Sequence, residues 1–137
     1  MLEEKVKDMN ITALAYIGDA VYEVNIRGYL INQDPEHIDA VHKKAVNYVS
    51  AQGQALAIKN LMKESLTEEE IKLVKRARNH RVTSKAKNAD AMEYKYATAF
   101  EALIGALYLS GDNERLADVI MDAITVIEKN LAKEKAN

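Results

Sequence analysis

A chain of 137 residues with 48% hydrophobic and 29% charged side chains has the size and make-up of one soluble globular domain with its own core. The lack of cysteine removes disulfides, thiol nucleophiles and thiolate metal sites, and a net charge of −2 argues against a surface that is basic all over. The opening MLEEKVKDMN has no apolar signal-peptide core and no apolar run nears the roughly 20 residues needed to span a bilayer, so no membrane role and a reducing cytoplasm are expected.

With 5 Gly and 1 Pro the chain is too sparsely punctuated for many short strands, and its elements read as helices. Over 12–31, behind Asn10 or Thr12 as cap, Leu14, Ile17, Val21 and Val24 recur at helical spacing. Asn32-Gln33-Asp34-Pro35 breaks the pattern; Asp34 can cap a second helix and Pro35 suits its first turn. That helix is expected to run to about Met62, with Ile38, Val41, Ala45, Val49, Gln52 and Leu56 on one side and Gly53 as a bend or interruption. Thr67 and Glu70 form a capping box that opens a third helix, with Ile71, Val74 and Ala77 inward. Periodicity fails over 79–89, which predicts a loop. A fourth helix over 92–109 buries Phe100, Leu103, Ile104 and Leu107, and Ser110-Gly111 ends it. Asp112 or Asn113 caps a last helix carrying Leu116, Val119, Ile120, Ala123, Ile124, Ile127 and Leu131, with a KEKAN tail expected to fray. The expectation is a single all-α domain, a bundle of about five to seven helices.

Most acids fall where water is expected: Glu68, Glu69 and Glu70 occupy a helix first turn and complement its dipole. Asp19 and Glu101 are different, embedded in the apolar stretches LAYIGDAVYEV and ATAFEALIGALYL. Desolvating a carboxylate costs several kcal/mol, so each either borders its apolar face or has a partner. Gly18 and Gly105 sit beside them inside helices, at about 1 kcal/mol each relative to Ala, which makes sense where something approaches closely. Glu23 follows Asp19 by one turn on the same face. Two such helices facing each other would offer two or three carboxylates to a hard cation such as Mg²⁺; a structural salt-bridge cluster has the same spacing.

A second feature is the run over 75–87, with six Lys or Arg and no acid. Cations at a helix C-terminus complement its dipole and need no further role. Here they continue past the helix end among Asn, Ser and His donors, which fits a phosphate-binding surface built from Lys75, Arg76, Arg78, Asn79, His80, Arg81, Ser84, Lys85 and Lys87. His37 and His42, five residues apart, point away from each other and suggest no metal site.

LAYIGDAVYE (14–23) resembles the signature helix of ribonuclease III domains, and FEALIGALYLSGD (100–112) their second catalytic helix. VSAQGQA, LTEEE, RARNHR and YKYATAFEAL look like Mini-ribonuclease III in particular, and the resemblance covers nearly the whole chain in order. It implies a homodimeric, Mg²⁺-dependent endoribonuclease cutting double-stranded RNA, with Mn²⁺ as a substitute metal and precursor large-subunit ribosomal RNA as substrate. It also implies a ribonuclease III catalytic domain with no appended double-stranded-RNA-binding domain. Asp19 matches the signature aspartate and Glu101 the essential glutamate, so both are expected as catalytic metal ligands. Glu23 matches a further acidic position, and Thr98 can orient a water through its hydroxyl; both are auxiliary candidates. The chain departs from the wider family at Ala15 and Thr98, where carboxylates are usual. One tightly held ion is therefore easier to justify than two, and a catalytically silent fold that binds duplex RNA or scaffolds ribosome assembly is the alternative.

Overall fold

Seven helices form among the described residues, which are 1–80 and 89–136 of this computed structural model. They are α1 (Glu4–Lys7), α2 (Ile11–Gln33), α3 (Ile38–Val49), α4 (Ala51–Glu64), α5 (Glu68–Arg78), α6 (Ala89–Leu109) and α7 (Asn113–Ala136). No strand occurs among these residues, and no helix is long and apolar enough to cross a membrane.

The chain is built around α6. Phe100, Leu103, Ile104 and Leu107 are fully buried, as their spacing predicts, and so are Ala99, Ala102 and Ala106 on the other sides. A helix apolar all round belongs inside, and its alanines let neighbours come close. α2, α4, α5 and α7 pack around it.

α2 starts one residue earlier than expected, with Asn10 as the cap: its side chain accepts from the Ala13 N–H at 3.2 Å. Its buried face differs from the expected stripe. Leu14 is inside, with Ala15, Gly18, Tyr22, Ile26 and Leu30, while Ile17 and Val21 are only partly covered and Val24 is 70% exposed. The helix is apolar on two faces, and the one carrying Gly18 is the one that can reach α6.

The expected long second helix is two. Ser50 adopts an extended conformation, closes α3 through its N–H to Val46, and caps α4 by accepting from the Gly53 N–H at 3.1 Å. The break itself lies at Ser50, and Gly53 permits it: a Cβ there would collide with the Asn47 carbonyl oxygen near the end of α3. Gln52 is exposed, and Gln54 takes the inward place at 2% exposure. Asp34 closes α2 through its N–H to Leu30 and pairs with His37 Nδ1 at 2.7 Å; the cap position of α3 falls to His37.

The Thr67–Glu70 capping box forms in both directions. Glu70, expected in water, is 2% exposed and held by Arg115 Nε at 2.8 Å and Nη2 at 2.7 Å. Glu69 is also engaged, accepting from the Leu2 N–H and pairing with Lys7. These bonds anchor an N-terminal segment with no periodicity to announce it: α1 is one turn long, and Leu2 and Val6 are its buried side chains. Gly111, at φ 73°, ends α6 in the left-handed region, and Asp112 caps α7 by accepting from the Arg115 N–H. α7 stays helical through Ala136, where fraying was expected. Of the expected loop, Asn79 and His80 form a turn and Ala89 is already helical; 81–88 lie outside the described residues.

Candidate active site

Gly18 and Gly105 face each other where α2 crosses α6. A Cβ on Gly18 would collide with the Glu101 carbonyl oxygen and lie 2.9 Å from the Gly105 nitrogen. A Cβ on Gly105 would collide with the Leu14 carbonyl oxygen. The close approach inferred from the two glycines is thus that of one backbone to another, and it sets Asp19 beside Glu101.

The two carboxyl groups lie within hydrogen-bonding range of each other, Asp19 exposed and Glu101 partly buried. Burial and the neighbouring Asp19 push the Glu101 carboxyl up to about 8, against a smaller downward pull from the Gln54 amide. Gln54 Nε2 donates to Glu101 Oε2 at 3.5 Å and to the Val49 carbonyl at 3.1 Å. Gln54 escaped the sequence reading, although its register with Ile58 and Leu61, four and seven residues on, is the signal of an inward position.

Glu23 is ion-paired with Arg27 at 3.5 Å. Among the described residues no third carboxylate or histidine joins Asp19 and Glu101 in a metal-holding group. Thr98 lies one turn before Glu101 on α6, partly buried, and Ala15 lies one turn before Asp19, in the core. Two carboxylates fit one Mg²⁺, an ion commonly held by one or two carboxylates with waters and substrate phosphates completing its octahedron.

The basic stretch divides. Lys75 is exposed. Arg76 is spent on the fold, its Nη2 donating to the Lys7 carbonyl at 2.7 Å and the Met9 carbonyl at 3.1 Å. Arg78 lies 5.7 Å from the centre of the Tyr96 ring, and Lys59, not anticipated, lies 4.9 Å from it. Asn79 accepts from Arg78 Nε, and His80 is partly buried. Arg81, Ser84, Lys85 and Lys87 lie outside the described residues.

The Ribonuclease III domain family model matches residues 12–112. A Mini-ribonuclease 3 from Brevibacillus brevis is 46% identical over 129 residues, covering 92% of this chain and 96% of that protein. One from Clostridium tetani is 41% identical over 136 residues, 98% of this chain and 89% of that protein. A crystal structure of a Fusobacterium nucleatum protein superposes with a TM-score of 0.77 at 34% identity, over 90% of this chain and 99% of that one. With the family model spanning both carboxylate-bearing helices and these relatives matching almost end to end, the chain belongs to the ribonuclease III family, in its Mini-ribonuclease 3 branch.

Proposed function

We propose that this chain, a ribonuclease III-type endoribonuclease for double-stranded RNA, cuts with one Mg²⁺ held by Asp19 and Glu101, and matures the termini of precursor large-subunit ribosomal RNA in the cytoplasm. The observation that carries the site is the crossing at Gly18 and Gly105, which sets two carboxyls side by side on a partly exposed surface. Bound there, the cation supplies Lewis-acid stabilisation of the charge gathering on the scissile phosphate and activates water; Mn²⁺ serves in its place. The chain's own residues do the rest. Asp19 and Glu101 offer oxygen ligands from two rigid helices, and ionised Glu101 supplies the charge that its buried surroundings disfavour. Thr98, on the same face of α6 one turn earlier, orients water by its hydroxyl. Water adds to phosphorus and the P–O3′ bond breaks, leaving a 5′-phosphate and a 3′-hydroxyl.

Lys75, Arg78, Asn79 and His80, together with Arg81, Ser84, Lys85 and Lys87, grip backbone phosphates. An A-form duplex hides its base edges in a deep major groove, so recognition rests on shape. The active species is a homodimer closed through the outward apolar face of α2. Incubation of the protein with a labelled RNA duplex, with and without Mg²⁺, tests this reading. Asp19→Asn and Glu101→Gln should abolish cleavage with the fold intact, and Glu23→Gln should cost less. A parental rate in either of the first two variants overturns the site. The two-carboxylate donor set also suits a silent duplex-RNA binder, and metal-dependent cleavage by the parent excludes that.

A further inference from the structure

Gln54 has an unusual position for an amide. It is 2% exposed in the first turn of α4, in register with the apolar Ile58 and Leu61. Its Nε2 bridges two elements: Val49 O, a carbonyl at the end of α3, and Glu101 Oε2 on α6. Its Oε1 is buried with no partner among the described residues. An orphaned acceptor in a core destabilises, and a leucine or methionine would fill the same stripe without it. The break between α3 and α4 does not require the amide either, since Ser50 already closes one helix and caps the other. What an apolar side chain lacks is the amino group that reaches Glu101.

We propose that Gln54 is a positioning residue, tying the Glu101 carboxylate to the α3–α4 break so that it meets the divalent cation in one orientation. The inference rests on the metal-site reading above. A neutral donor suits the task. Arginine or lysine at this place would orient the carboxylate but also cancel its charge and repel the cation; the glutamine amide fixes one oxygen and leaves the charge in place. The partners that orient a metal-binding carboxylate are commonly worth about 10–100-fold in metal affinity or activity.

Gln54→Met keeps the length of the side chain and removes both donors. Calorimetric titration of the RNA-free protein with Mn²⁺ should show binding weakened about 10–100-fold. Steady-state cleavage of duplex RNA should show a lowered kcat at limiting metal with KM for RNA unchanged, a split that a merely structural residue would not produce. Unchanged Mn²⁺ affinity and kcat, whatever the melting temperature does, overturn the proposal. Should Gln54→Met fail to fold, the parent decides: the Gln54 side-chain NH₂ resonances of ¹⁵N-labelled protein should shift during a Mg²⁺ titration, and resonances that stay still as the metal binds overturn it. A parent that neither binds Mn²⁺ nor cuts RNA overturns the metal site and the positioning role together. A parent that does both beside an unaffected Gln54→Met overturns the positioning role alone.

Discussion

Glu101 keeps its proton in the folded protein up to about pH 8, whereas an unfolded glutamate gives it up near 4.5. Between those values the unfolded chain binds fewer protons than the folded one, so the metal-free protein loses stability as pH rises through the window, and the loss is complete above about 8. Glu101→Gln removes this dependence. Calorimetric melts in chelator should therefore place the variant above the parent at high pH, with the gap closing toward pH 4.5; a gap that ignores pH would remove the physical basis of the effect. Two arginines separated by one residue make a second contrast. Arg76 donates to the carbonyls of Lys7 and Met9, while Arg78 lies over the Tyr96 ring. Arg76→Gln should cost about 1 kcal/mol of stability, seen in urea denaturation, and leave the salt dependence of RNA binding alone. Arg78→Gln should flatten the slope of log affinity against log salt by about 1. If both flatten it equally, the division of labour between them is wrong.

Between elements, the site depends on how closely α2 and α6 can cross. Alanine is the better helix former, yet Gly18→Ala puts a methyl into the Glu101 carbonyl. Overpacking of this kind costs about 1–3 kcal/mol or more and pushes apart the helices that carry the two carboxyls. Chemical denaturation should show that loss, and duplex cleavage should fall further than stability does; a variant as stable and active as the parent would mean that the crossing accommodates a methyl group. The same crossing shows what sequence can and cannot disclose. Phe100, Leu103, Ile104 and Leu107 were legible because a helix packed on several sides repeats its apolar residues regularly. The Asp19 and Glu101 pair was legible as two acids in apolar surroundings, and the glycines as a close approach. Which face of α2 turns inward was not, because Ile17, Val21 and Val24 form an apolar stripe as convincing as the one that is buried. The α3–α4 break was half legible: Gly53 marked an interruption, but its place at Ser50 was hidden, because serine there is an ordinary cap residue within a continuous helical pattern. Glu70 was misread because its partner Arg115 lies 45 residues away, beyond the reach of any local pattern.

On the scale of the whole molecule, that second stripe of α2 needs an occupant. Ile17, Ala20, Val21 and Val24 line a groove with Tyr108 of α6 and Leu116 of α7, and it continues past Val24 toward Met121. Val24 is 70% exposed, Tyr108 46% and Met121 49%. Contiguous exposed apolar surface of this sort marks an interaction site. In the proposed homodimer the occupant is a second copy, because a two-fold contact would match this face against itself and give a duplex one Asp19–Glu101 pair for each strand. It also doubles the basic surface available to phosphates, which a chain of net charge −2 needs. Val24→Asp tests this cleanly. Within one chain the side chain is exposed, so the fold should change by no more than about 0.5 kcal/mol. In the dimer two carboxylates would face each other across an apolar contact, and sedimentation should show the variant as a monomer at concentrations where the parent is a dimer. Its binding to duplex RNA should weaken and its cleavage should fall even though Asp19 and Glu101 are untouched. A parent that sediments as a monomer at micromolar concentration, or a Val24→Asp protein that stays dimeric and fully active, would assign the apolar face of α2 to some other partner.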